Sequence, residues 1–275
     1  MMKSLQEIVI EPKKSWFGFR GRELWQYREL LRFLVVRDIK VRYKQTVLGG
    51  LWAILQPFMS MLIFTIFFGK LAKIPSDNLP YPIFVYAALL PWQFFSNGIG
   101  NAGNSIVASS NLISKVYFPR IIIPAASLGA GLLDFIIASF ILFIMMVYYG
   151  IFPGLSILFL PLLLFGVIVT TLGVGMLLSA FNVVYRDFRY VIPFLVQFWL
   201  FATPVIYPSN IVPQQWRWLI NLNPMAGLIT AFRSAILGQS IPWADLSISF
   251  SISIFLFIIG LLSFYRMERR FADVI

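Results

Sequence analysis

Arg37, Lys40, Arg42 and Lys44 crowd one short run, interleaved with Ile39, Val41 and Tyr43. On a wheel of 100° per residue, Arg37, Lys40 and Lys44 form one stripe, while Ile39 and Tyr43 fall on another side. Clustered guanidinium and ammonium groups suit phosphate-like anions, which they hold through charge-assisted hydrogen bonds. Beyond Leu48 and Gly49 no charge appears until Lys70, a stretch long enough for a helix across the hydrocarbon core. The run reads as a basic elbow on a membrane face that feeds directly into a spanning helix.

A second equipped set is Gln93, Asn97, Asn101 and Asn104, spaced i, i+4, i+8 and i+11. These amides share one helix face over about 16 Å at 1.5 Å per residue. Lipid does not tolerate such a stripe, so it faces protein or water. It is either glue between helices, aided by Gly98, Gly100 and Gly103, or a conduit wall that hydrogen-bonds a hydroxyl-rich substrate. Phe194, Phe198 and Phe201 form an aromatic face, with Trp199 beside them and Tyr207 at the far end. Pro193 and Pro204 are expected to bend that helix. Aromatic faces suit the apolar faces of sugar rings; packing plus an interfacial belt is the plainer reading. Asp134 lies among apolar neighbours and is a candidate ion or proton site. No second acid lies inside an apolar segment, which favours a hydrogen-bonded structural carboxylate over a relay.

Two short connections carry the remaining charge. Residues 109–120 hold Asn111, Lys115, Tyr117 and Arg120, with the composition of one or two capped turns. Residues 185–190 set Arg186 and Arg189 around Asp187. Each is a plain basic loop or a docking surface, an aromatic plug ringed by charge.

The elements that must position these groups follow from composition. The 275 residues are 59% hydrophobic and only 12% charged, which indicates an all-α polytopic membrane protein. The net charge of +11 does not point to nucleic acid, because the cations crowd the ends of apolar runs. Without Cys or His, disulfides, thiolate or imidazole catalysis and the usual zinc sites are excluded. No metal site is expected. Residues 1–46 have no leading apolar core, so no cleavable signal is expected.

Residues 1–21 read as a cytoplasmic lead, and 22–47 as an amphipathic helix plus elbow. Leu24, Tyr27, Leu31 and Leu34 recur at helical spacing, which fits a helix in the interface plane; packing on the protein itself is the alternative. Six spans are expected at about 48–69, 83–107, 121–149, 155–181, 190–207 and 246–265, the membrane domain ending near 268, with a tail over 269–275. Between the fifth and sixth, Asn223-Pro224 opens a run that Gly238 closes. It is too short to span, so this region is read as two short re-entrant helices, a seventh span being the alternative. Of the 22 Lys and Arg, only Lys70, Lys73, Arg217 and Arg233 fall on the side opposite the amino terminus. Both termini are therefore placed in the cytoplasm.

The order of several motifs resembles a known family. Arg37-Asp38-Ile39-Lys40-Val41-Arg42-Tyr43-Lys44, Leu48-Gly49, Leu55-Gln56-Pro57, Tyr185-Arg186-Asp187-Phe188-Arg189, Thr203-Pro204-Val205-Ile206-Tyr207 and Asn223-Pro224-Met225 resemble type-2 ABC exporter permeases. The subgroup is the one exporting O-antigen polysaccharide, teichoic acid or related polyprenyl-linked glycans, and the resemblance covers about residues 30–268. It implies a six-helix permease of the bacterial plasma membrane that forms a homodimer and binds two copies of a separate ATPase. It also implies a glycan on undecaprenyl pyrophosphate as substrate. Residues 22–44 with Leu48-Gly49 would flank substrate access, and 109–120 and 182–190 would face the ATPase. No G-x-x-x-x-G-K-[ST] loop occurs in the chain, so ATP and Mg are expected on the partner and no cofactor on this subunit.

The chemistry agrees with that assignment. A pyrophosphate is attracted to Arg37, Lys40, Arg42 and Lys44 at the access face, and a long neutral glycan needs a wide path lined by amides and aromatic rings. A permease for small lipophilic drugs is the alternative from the same resemblance. A membrane-embedded transferase or hydrolase would need an acid/base set that the sequence lacks. The charge distribution predicts that cysteines introduced by Lys14→Cys and Arg270→Cys label only from the cytoplasmic side, and by Ser76→Cys only from outside. Labelling of the Arg270 position from outside would refute the six-span arrangement.

Overall fold

A computed structural model describes residues 25–44 and 48–274, with the backbone alone at 269, 270 and 272–274. The predicted lead over 1–21, the first residues of the predicted amphipathic helix, and 45–47 in the elbow lie outside the described residues. Helices without strands make up the described fold.

Helix α1 (Arg28–Lys44) is the predicted amphipathic helix. Its Tyr27, Leu31 and Leu34 stripe packs against protein, with Leu34 buried. The partner is α5 (Ile122–Tyr149): Val35 lies on Gly129, and further on Arg42 and Tyr43 reach Asp134, so both helices run in the same direction. The stripe expected to face the interface is therefore satisfied by α5, and Trp25, Phe33, Val36 and Val41 are the large apolar groups left exposed. A turn at Leu48-Gly49-Gly50 follows, with Gly49 at φ +49, a left-handed conformation that glycine adopts without a Cβ clash.

Helix α2 (Leu51–Phe64) carries Pro57 and continues as a π-helix over Thr65–Leu71. Helix α3 (Tyr81–Ala108) is the centre of the bundle and touches α2, α5, α6 (Leu160–Val184), α7 (Phe188–Phe201) and α9 (Pro224–Ile236). A single turn, α4 (Ser110–Ile113), lies between α3 and α5, and a 3-10 turn over Leu155–Phe159 leads into α6. Helix α8 (Arg217–Asn221) is short and exposed, and α10 (Trp243–Val274) closes the chain.

Among the described residues, four helical stretches are long and apolar enough to cross a membrane: Leu51–Leu71, Ile122–Tyr149, Leu155–Val184 and Trp243–Glu268. They match the first, third, fourth and sixth predicted spans. The second predicted span is the 28-residue α3, ample in length but diluted by its amides. The fifth, expected over 190–207, is helical for only 14 residues, about 21 Å at 1.5 Å per residue. It stops ahead of Pro204, which has no N–H to donate and disfavours helical backbone at the residue before it, and Asn223 binds the break. The Asn223 amide donates to the Ala202 carbonyl and Thr203 Oγ1, while its Oδ1 accepts from Trp199 Nε1 and the Met225 N–H.

That last bond is also the N-cap of α9. Gly238 at φ +72 follows its end, as the Asn-Pro and Gly signals predict. This helix, expected to be re-entrant, is buried on nearly every residue against α3, α6 and α10. Its cation is buried too: Arg233 donates to the Pro204 carbonyl and lies 3.9 Å over the Phe84 ring.

Helices α6 and α10 meet backbone to backbone. A Cβ on Gly173 would lie 2.6 Å from Phe257 Cα, and one on Gly260 would lie 2.1 Å from the Gly173 carbonyl oxygen. Without a hydrophobic drive between helices in lipid, such close approach supplies van der Waals contact in its place. Gly260→Ala should separate the two helices and cost about 1–3 kcal/mol by overpacking. Gly100→Ala, where a Cβ meets nothing within 4 Å, should be neutral or stabilising. Thermal unfolding of the two purified variants checks the contrast; equal melting temperatures would refute it.

Candidate functional site

The basic elbow is divided by its contacts. Arg37 pairs with Asp38 at 2.8 Å, whereas Arg42 forms an ion pair with Asp134, and the Tyr43 hydroxyl donates to the same carboxylate. Burial, then the bond to Asp134, pushes the Tyr43 phenol up to about 12, so it remains a neutral donor at physiological pH. Asp134 is the structural carboxylate expected from sequence, with partners that periodicity did not reveal. Lys40 and Lys44 stay exposed and, with Ile39 and Tyr43, border an open groove on α1. Leu48 and Gly49 form the turn next to it.

The amide stripe of α3 serves two environments. Gln93 and Asn97 line a small cavity of about 30 Å³ with Gln56, Asp134 and Phe135, between α2, α3 and α5. That is room for about one water molecule. Asn104 belongs to the interhelical contact instead: its amide donates to the Gly100 carbonyl at 2.8 Å, and its Oδ1 accepts from Asn182 at 3.1 Å. Asn182 also donates to the Gly103 carbonyl at 2.9 Å. Asn182, buried on α6, is a polar contact that sequence reading missed; an amide inside an apolar segment was the available signal. Asn101 is half-buried on the same face of α3.

Phe194, Phe198 and Phe201 point away from the bundle and are 72%, 69% and 57% exposed. Trp199 turns inward, 5.0 Å from Phe95 in an edge-to-face contact. Tyr207 donates its hydroxyl to the Phe201 carbonyl. Within one chain the structure does not bring the exposed aromatic face onto the wall that carries Gln93 and Asn97. The reason is helical: Gln93 and Phe95 differ by about 200° on α3, and α7 packs on the Phe95 side.

The two charged connections lie at one end of the bundle and share an apolar cluster that includes Ile113, Phe118, Val183, Phe264 and Phe271. Outside it, Asn111, Lys115, Val116 and Tyr117 are exposed, as are Tyr185, Arg186, Asp187 and Arg189. The two arginines and Asp187, expected as a charged group, make no ion pair with each other among the described residues. Phe188 anchors this connection by stacking on Phe181 at 5.3 Å. Arg120 differs from its neighbours. It is half-buried and engaged with α10, its backbone N–H donating to Glu268 Oε1 at 3.1 Å.

These placements separate the amides experimentally. Asn182→Ala strands the acceptors on Asn104 and Gly103, at roughly 0.6 kcal/mol for each bond, and should lower the melting temperature. Asn97→Leu combined with Asn101→Leu should leave it unchanged. Loss of stability in the double variant would mean that these amides also bind helices together.

Comparison with known proteins agrees with this architecture. The ABC-2 type transporter family matches residues 29–237. An O-antigen export system permease protein, RfbA, of Myxococcus xanthus is 34% identical over 227 residues, 82% of this chain and 86% of the relative. A protein of the same description from Klebsiella pneumoniae is 29% identical over 248 residues, covering 90% of this chain and 95% of the relative. A polysialic acid transport protein, KpsM, of Escherichia coli is 26% identical across 74% of this chain and 80% of its own length. With the family matched over most of its helices, this chain belongs to the ABC-2 type transporters.

Proposed function

We propose that the chain is the membrane subunit of an ATP-driven exporter in the bacterial inner membrane, and that it moves a polyprenyl-pyrophosphate-linked polysaccharide outward. The observation that carries the reading is the paired connection surface. Lys115, Val116, Tyr117, Arg186 and Arg189 are exposed on a rigid apolar base at one end of the bundle. A surface of that kind, without a nucleotide loop in the chain, suits a separate ATPase. The names of the relatives, which describe O-antigen export and polysialic acid transport, support a glycan as cargo over a small lipophilic drug.

In this reading α3 and the segment from Phe188 to Tyr207 cross the membrane with the four long apolar stretches, giving six spans and cytoplasmic termini. Two copies of the chain pair, and each binds one ATPase that carries ATP and Mg. Arg37, Lys40 and Lys44, with Leu48 and Gly49, receive the pyrophosphate, and Arg42 orders the elbow from its pair with Asp134. The exposed Phe194, Phe198 and Phe201 line the path in the pair of chains, where the half-buried amides Gln93, Asn97 and Asn101 complete it. The Asn97→Leu, Asn101→Leu variant should then export poorly per folded molecule; normal export would sink the conduit assignment.

Affinity purification from membranes tests the whole reading. It should recover an ABC ATPase together with a polyprenyl-linked glycan detectable by mass spectrometry; recovery of the chain with neither would overturn it. For the docking surface, Arg186→Glu with Arg189→Glu should leave insertion intact and abolish stimulation of the partner ATPase. Undiminished stimulation would place the dock elsewhere.

A further inference from the structure

Helix α10 is 32 residues long, about 48 Å at 1.5 Å per residue. That exceeds the roughly 20 residues a membrane crossing needs. The surplus turns at its carboxyl end fold into the base beneath the first connection. Phe271 is fully buried and meets Phe264 edge to face at 5.4 Å, in the same cluster as Ile113, Phe118 and Val183. Glu268 accepts the backbone N–H of Arg120 on Oε1. The Arg120 guanidinium donates to the Glu268 backbone carbonyl and lies 5.9 Å over the Phe271 ring.

Three features set this contact apart from ordinary packing. It closes a separation of 148 residues, so the connection between α3 and α5 is held by the far end of the chain. It acts at Arg120, two residues before α5 begins, where a shift would move the whole 109–120 segment. The same cluster contains Val183, at the last turn of α6 before the second connection. One strut thus touches the bases of both connections while their Lys115, Tyr117 and Arg186 faces remain open.

We propose that the carboxyl-terminal turns of α10 are a transmission strut, with Glu268 and Phe271 as positioning residues that hold Arg120 and so fix the pose in which the connections meet the ATPase. The proposal rests on the reading that an ATPase docks on these connections, and it adds a residue set that does not touch the partner. Motion imposed on residues 115–117 passes through Arg120 into α10, and through the close α6–α10 contact into the membrane part of the bundle. A bistable packed interface, rather than a flexible tether, is what such transmission needs.

The test uses the full chain with its co-purified ATPase in lipid nanodiscs for ATP turnover, and in proteoliposomes for glycan export. The variants are Glu268→Ala, Phe271→Leu and Glu268→Gln. Leucine keeps the apolar character and most of the volume but removes the ring face under Arg120, and glutamine keeps the Oε1 acceptor. Glu268→Ala and Phe271→Leu should assemble with the ATPase and lower glycan exported per ATP hydrolysed by about fivefold or more, the scale of an ordinary coupling energy. Glu268→Gln should restore the wild-type ratio. An unchanged ratio in both disrupting variants overturns the strut, as does a fall only in the amount of folded complex. Failure of the wild-type chain to bind or stimulate an ATPase would instead overturn the docking reading on which the strut depends.

Discussion

A polar group carried into a hydrocarbon-embedded bundle must find its partner within the protein, because lipid offers none. Asp134 meets that constraint by taking Arg42 and Tyr43 from α1. Both charges are only partly buried, so losing one partner would leave the other poorly compensated rather than fully stranded. The pair therefore does more to place α1 than to strengthen the fold. It fixes where the basic helix lies along α5, and thus where the Leu48-Gly49 turn sends the chain into α2. Asn223 does the same at the opposite end, where one amide joins the end of α7, the broken segment after it and the start of α9.

The apolar contacts follow a complementary rule. Lipid tails are as apolar as leucine, so helices gain by touching closely rather than by leaving solvent. Gly173 and Gly260 bring α6 and α10 into backbone contact, and α3 is enclosed by five other helices. The large aromatic and aliphatic side chains that remain exposed, such as Phe140 and Phe143 on α5 or Phe194 and Phe198 on α7, then lie on the outside. For α5 that surface suits lipid. For α7, short and lightly packed, it suits a second copy of the chain or a passing sugar in the proposed exporter.

Function in the proposed scheme depends on the contrast between the two ends of the bundle. At one end, Arg233 is sealed beneath Phe84 and the Pro204 carbonyl, and the segments are short, turning and closed. At the other, the connections have a buried apolar base and an open charged face. A partner pressing on that face moves a packed unit. The long α10, reaching from one end of the bundle into the cluster at the other, is the element best placed to carry such motion.

Much of this was legible in the residues. Charge-free length marked six spans, four of which are helical stretches long and apolar enough to cross a membrane; Asn223-Pro224 and Gly238 bounded α9, and the Leu48-Gly49 turn was in place. These are local properties: hydropathy, capping and backbone freedom act within a few residues of where they are read. Which polar groups meet is not local. The amide stripe of α3 looked uniform, yet Asn104 was drawn to Asn182 on α6 while Gln93 and Asn97 turned to the cavity beside Asp134. The fifth apolar segment was expected to bend at Pro204 and run on to Tyr207, yet its helix ends at Phe201 and the break is bound by Asn223 from a distant part of the chain. Arg120 looked like one more exposed cation, yet it is held by Glu268, 148 positions away. The sequence by itself determined the elements, the membrane class and the kinds of chemistry available. Only the tertiary structure decided the partners, because pairing depends on which helix faces which, and that is settled by packing the whole bundle at once.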